Sequence, residues 1–127
     1  MHLFKLFRGL FTSAPRLNPL ECATRIRSGQ ACLIDVRESY EQSEAVAEGA
    51  MLLPLSDLAC ARALWQPFLA SAVDKELVLY CGAGVRSGMA ARVLTREGFY
   101  AVNAGSFADW EASGWPVSRP KAAGRRR

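Results

Sequence analysis

Histidine is nearly absent from these 127 residues: the single one, His2, stands at the extreme N-terminus. A Cys–His dyad therefore cannot form within the body of the chain, which removes papain-type nucleophilic catalysis. A histidine-containing zinc site goes with it. The four cysteines, Cys22, Cys32, Cys60 and Cys81, include no C-x-x-C pair and no secreted-type disulfide framework. They read as reduced thiols of an intracellular compartment. No acidic residue precedes Glu21. No apolar run is long enough to span a bilayer, no secretory cleavage pattern is present, and there are no internal repeats. The net charge of +4 is not a basic groove. Lys5, Arg8 and Arg16 lie at one end and Lys121, Arg125, Arg126 and Arg127 at the other. Residues 18–118 hold no basic excess, so nucleic acid is not an expected partner.

The chain is long enough to bury a genuine core as one domain. Half of it is hydrophobic and 22% is charged, an ordinary globular balance. Strand and helix signals alternate. Asn18-Pro19 reads as an N-cap followed by proline at the first helical position, and Ser28-Gly29 as that helix's end. Ala31–Arg37 reads as a buried parallel strand with Asp35 and Arg37 at its C-terminal end. Glu38–Glu44 is a short polar helix. Ser56 is expected to cap a helix through Trp65, which Pro67 should break or kink. Val78–Cys81 is a second buried strand, Arg86–Glu97 a helix stopped by Gly98, and Tyr100–Val102 the last strand. Trp110 and Trp115 read as core anchors, and Cys22, Cys32 and Cys60 as packing residues. The pattern predicts an α/β fold, a parallel central sheet with helices on both faces.

Ligands of such sheets bind beyond the carboxyl ends of the strands. Cys81, Asp35 and Arg37 fall there. Cys81 ends a strand and opens the loop Gly82-Ala83-Gly84-Val85-Arg86, whose glycines free the backbone to curl before the helix that begins near Ser87. A nest of N–H groups and a helix N-terminus favour a thiolate, which lowers the cysteine pKa and makes it a nucleophile. Arg86 adds a positive charge at the far rim.

Cys-Gly-Ala-Gly-Val-Arg followed by Ser-Gly-Met-Ala-Ala resembles the active-site loop of the rhodanese-like sulfurtransferases. The Asp35-x-Arg37 element is a second match. Glu48–Leu55 is a third, although Ala45-Val46-Ala47 replaces the family's Gly-His-Ile. Asn103–Trp110 with Gly114–Val117 is a fourth, although Ser106 stands at the second glycine of the usual pair. The related phosphatase loop places five residues between cysteine and arginine; four stand here, a tighter ring that suits one sulfur atom better than a phosphate. The resemblance implies a rhodanese-like fold over 18–117 and a Cys81 persulfide cradled by residues 82–86. It implies a donor such as thiosulfate or a persulfide, and acceptors such as cyanide, a small thiol or a protein thiol. No metal or organic cofactor is needed. Arg86 would attract anionic donors. Asp35 and Arg37 would orient neighbouring loops or lock the fold. Two-domain thiosulfate enzymes of the family carry a basic residue two positions after the cysteine; Ala83 stands there, which argues against efficient thiosulfate use.

Residues 1–17 form a separate segment. At about 100° per residue, Leu3, Phe4, Leu6, Phe7, Leu10 and Phe11 share an arc of roughly 160°, opposite His2, Lys5 and Arg8. This cationic amphipathic pattern suits an anionic membrane surface. A helix packed on its own domain, an unstructured lead-in and an organellar presequence are the alternatives. Ser13–Leu17 reads as a linker and 118–127 as a basic disordered tail. The sequence thus predicts a cytoplasmic sulfurtransferase, peripheral at a membrane if the N-terminal segment binds one. The alternative is a membrane-associated sulfur-relay or regulatory binding module with little turnover.

Overall fold

The computed structural model describes residues 15–119. The amphipathic segment and the basic tail beyond Arg119 lie outside these residues. The elements are α1 (Pro19–Arg27), β1 (Ala31–Asp35), α2 (Ser39–Gln42), β2 (Val46–Ala47), β3 (Met51–Leu52), α3 (Leu55–Ala59), α4 (Trp65–Ser71), β4 (Glu76–Cys81), α5 (Val85–Arg96), β5 (Tyr100–Ser106), α6 (Phe107–Ala112) and β6 (Val117–Ser118). Four strands form a parallel sheet in the order β3-β1-β4-β5, so β4 is an interior strand. A small antiparallel pair, β2 and β6, stands apart from it.

The strand pleat sends alternate side chains to opposite faces. From β4, Leu77, Leu79 and Cys81 join Ile34, Leu58, Trp65, Leu69 and Leu94 in one buried cluster, covered by α3, α4 and α5. Val78 and Tyr80 join Cys22, Leu33, Val102 and Trp110 in the other, covered by α1 and α6. Helices therefore cover both faces, as the alternation of signals predicts. Trp110 is fully buried, and Trp115 packs on it edge to face at a centroid distance of 5.2 Å. Trp115 itself is half-buried, with its indole N–H donating to the Glu48 carbonyl.

α1 begins as expected, with a capping box between Asn18 and Glu21 and Pro19 in its first turn. Elsewhere the boundaries differ from expectation. Ser56 caps nothing: α3 follows Pro54, and the Ser56 hydroxyl donates to Glu38 at 2.7 Å. Pro67 breaks nothing either. It is the third residue of α4, in the first turn, where its missing N–H would have no intrahelical acceptor. The donors that do need a partner there, from Ala63, Leu64 and Trp65, converge on the Asp57 carboxylate at 2.9–3.0 Å. Cys60 is exposed at the end of α3 rather than packed within a helix. β5 runs on to Ser106, and Ser118 belongs to β6. Residues 15–17 are more than linker. Asn103 N–H donates to the Pro15 carbonyl and Leu17 N–H to the Asn103 carbonyl, both at 2.9 Å, so Arg16 lies parallel along the free edge of β5.

β4 and β5 fall out of register near their C-terminal ends. Leu79 faces Asn103 but Cys81 faces Ser106, so β5 holds one extra residue across this stretch. Gly105, at φ +84°, accommodates the bulge. No helix among the described residues is long and apolar enough to cross a membrane.

Candidate active site

Cys81 ends the interior strand β4 and is fully buried. The chain turns at once through Gly82 and Ala83, reaches Gly84 at φ +90°, and enters α5. Only glycine takes that φ without strain. The turn carries the first N–H groups of α5 back over the cysteine. Its Sγ accepts from Gly84 N–H at 3.0 Å and from Ser87 N–H at 3.3 Å, and the Ser87 hydroxyl stands 3.4 Å away. Burial pushes the thiol's pKa up. The Ser87 hydroxyl and the backbone N–H groups of Ser87, Ala83 and Gly84 together outweigh it, and the Cys81 pKa falls below its ordinary value. Burial without such donors has the opposite result at Cys22, pushed up to about 11, and it raises Cys32 as well.

Asn103 ties the loop to the sheet. Its amide donates to the Gly84 carbonyl at 3.0 Å, and its Oδ1 accepts from Gly105 N–H at 3.1 Å and from the Ser87 hydroxyl at 2.8 Å. Gly88 lets α5 lie against it, since a Cβ there would come within 3.1 Å of Asn103 Nδ2.

Arg86 does not present the open charge expected of it. Its guanidinium grips Glu41 of α2 with both terminal nitrogens, at 2.6 and 2.9 Å. Arg86 first holds Glu41 down at about 2, far below the ordinary carboxylate range. The two charges largely cancel and the pair clamps the loop to α2. The remaining loop residues divide plainly. Gly84 is buried, whereas Gly82, Ala83 and Val85 are exposed. The first-turn N–H groups of Val85 and Arg86 have no intrahelical acceptor.

Asp35 and Arg37 make no hydrogen bond to Cys81; they work on the other face of the sheet. The Asp35 carboxylate accepts from Arg37 Nη2 at 2.9 Å, from the backbone N–H of Arg37 at 2.9 Å and from the Tyr80 hydroxyl at 2.6 Å. Arg37 also donates to the Ala45 carbonyl and lies 4.6 Å from the centre of the Phe107 ring. Tyr80 receives the Ala47 N–H at 2.9 Å. This buried cluster joins β1, β4, β2 and α6. It reaches the loop only at second hand, through Gln42, which donates to the Asp35 and Arg37 carbonyls and so seats α2.

Local sequence pattern does not single out Ser87, Asn103 or Glu41 as supports of the cysteine. A polar residue within the apolar run of β5 was the available signal for Asn103, and the first turn after the loop for Ser87. Glu41 carried none, because its partner lies 45 residues away.

A buried cysteine ends an interior parallel strand, and the donors of its own loop and of the following helix lower its pKa; the site thus lies at the carboxyl edge of an α/β sheet. The chain belongs to the family described as Rhodanese-like domain, whose model matches residues 18–113. Human thiosulfate:glutathione sulfurtransferase is 28% identical over an alignment of 107 positions that covers 76% of this chain and 93% of that protein. The solved structure of a human single-domain sulfurtransferase aligns with a TM-score of 0.65 at 28% identity, covering 78% of this chain and 96% of the other. A rhodanese-related protein from Thermoplasma volcanium aligns with a TM-score of 0.68 at 26% identity, covering 82% and 97%. The parallel sheet with helices on both faces is thus the rhodanese fold.

Proposed function

We infer that Cys81 carries sulfur between a donor and a thiol acceptor as a persulfide. The chain is a rhodanese-type sulfurtransferase, and the observation that supports this route is the set of donors converging on the Cys81 sulfur. The Cys81 thiolate attacks the outer sulfur of thiosulfate or of a low-molecular-weight persulfide. A new S–S bond forms while the donor's own S–S bond breaks, and its electron pair leaves with sulfite or with the donor thiolate. The terminal sulfur of the Cys81 persulfide is then anionic. The N–H groups of Val85 and Arg86, with no partner inside the helix, are suited to hold it as an oxyanion hole holds oxygen. An acceptor thiolate attacks that terminal sulfur and departs with it, and the electron pair of the broken bond returns to Cys81. Such double displacement gives ping-pong kinetics. Asp35 and Arg37 support the end of β1 and the seat of α2 without touching the reacting atoms.

The test is intact-mass measurement, without reductant, after incubation with thiosulfate or with glutathione persulfide. Wild type should gain one sulfur atom that glutathione or cyanide removes, and Cys81→Ser should gain none. No gain from either donor, or an undiminished gain in Cys81→Ser, would overturn the reading.

A further inference from the structure

We propose that Arg16, outside the loop and ahead of α1, is the cation that draws anionic reactants to Cys81. The inference rests on the reading of Cys81 as the nucleophile. Residues 82–85 carry no charge, and Arg86 is neutralised by Glu41. Between residues 18 and 118 the acidic residues number twelve and the basic ones eight, so the domain's background field repels anions.

Arg16 is placed to oppose that field. Its backbone is pinned along β5, on either side of Asn103, by the hydrogen bonds from Asn103 N–H to Pro15 and from Leu17 N–H to Asn103. Its guanidinium lies over the loop. A Cβ built on Gly84 would sit 3.1 Å from Arg16 Nη1 and 3.2 Å from Nη2, and one on Gly105 would sit 3.5 Å from Nη2. Gly84 is the residue whose N–H donates to the Cys81 sulfur at 3.0 Å. The guanidinium is therefore one residue's thickness from the nucleophile.

Two carboxylates share the hollow of about 260 Å³ beside Arg16, namely Glu21 and Asp109. Both are engaged elsewhere. Glu21 accepts the Asn18 N–H at 2.8 Å and Asp109 the Ser106 N–H at 3.1 Å. Arg16 forms no ion pair with another described residue. Its charge is exposed at the site, whereas that of Arg86 is spent on structure.

The experiment compares the alkylation of Cys81 by iodoacetate, an anion, and by iodoacetamide, a neutral reagent of nearly equal size. Wild type, Arg16→Gln, Arg16→Lys and Arg86→Gln are run at one pH and at several salt concentrations. Arg16→Gln should slow iodoacetate about threefold at low ionic strength, the scale of one solvent-exposed charge a few ångströms away, and leave iodoacetamide unchanged. Arg16→Lys should restore the preference, and added salt should bring wild type down to Arg16→Gln. With thiosulfate, Arg16→Gln should raise KM with little change in kcat. Equal changes with both reagents, or a charge preference lost in Arg86→Gln and kept in Arg16→Gln, would overturn the proposal. Alkylation needs no sulfur transfer. A charge preference set by Arg16 without sulfur loading would sink the sulfur-carrier reading alone, and sulfur loading without the preference would sink this one.

Discussion

Arg86 and Glu41 meet through two parallel hydrogen bonds of 2.6 and 2.9 Å, and this pairing turns a residue of the loop into a strut between α5 and α2. A bidentate pair fixes direction as well as distance. The space beneath it is tight: a Cβ on Gly82 would approach Arg86 Nη2 to 3.0 Å. The loop's curvature is thus held from outside by α2 and from beneath by Asn103.

Arg86→Gln should therefore lower sulfur transfer by about tenfold with anionic and neutral donors alike, the scale of one to two kcal/mol of lost positioning. Initial rates with thiosulfate and with an uncharged persulfide donor check this. A loss confined to thiosulfate would return Arg86 to the role of anion receptor.

The same pair makes stability depend on pH in a defined direction. The Glu41 carboxyl titrates near 2 in the folded chain, from an ordinary 4.5, chiefly because Arg86 donates to it. A depressed folded pKa gives stability that is complete above the unfolded value and lost as pH falls through the folded one. Glu41→Gln should cost about 1 kcal/mol at neutral pH, since the pair is partly solvated. The gap from wild type should narrow below pH 4.5 and close near 2. Urea unfolding at stepped pH measures it, and a gap that widens in acid would contradict the assignment.

Cys81 should alkylate at lower pH than Cys22 and Cys32, whose pKa values burial raises. Peptide mapping after brief treatment with iodoacetamide at mildly acidic pH distinguishes the sites. Cys60, exposed at the end of α3, is the internal comparison for access. Faster labelling of Cys60 than of Cys81 across the whole acidic range would show that the loop does not activate its sulfur.

The Ser87 hydroxyl stands 2.8 Å from Asn103 Oδ1 and 3.4 Å from the Cys81 sulfur, with one hydrogen to give. As Cys81 ionises, that hydrogen gains by turning to the sulfur. Ser87→Ala should raise the Cys81 pKa, because the thiolate loses a hydroxyl donor. The backbone donors from Gly84 and Ser87 would remain. Thiolate absorbance against pH reads the shift, and an unchanged titration would leave the hydroxyl to Asn103 alone.

Four residues stand between Cys81 and Arg86, a loop size that argues for sulfur rather than phosphate chemistry. Wild type should not hydrolyse an aryl phosphate at enzymatic rates. Hydrolysis that stops in Cys81→Ser would defeat the argument from loop size.

The local chemistry of the site was legible in the chain. A β-branched and aromatic run, a cysteine, two glycines and a helix-forming stretch lie next to one another, and they fix strand, turn and helix through short-range sterics and hydrogen bonding. The alternation of strand and helix signals likewise carried the parallel sheet with helices on both faces, because each signal is a property of neighbouring residues. Misplaced features were those where a local rule had two outcomes. Proline in a helix breaks it or sits in its first turn, and Pro67 takes the second course because Asp57 gathers the donors around it. The supports of the cysteine needed the tertiary structure. Glu41 reaches Arg86 across 45 residues, Asn103 reaches the loop only because β5 gains a residue opposite β4, and Arg16 reaches it only by lining the edge of β5. No short-range rule links such partners. The charge on Arg86 could be read from its side chain alone, but whether that charge faces a reactant or a carboxylate depends on what the fold packs beside it.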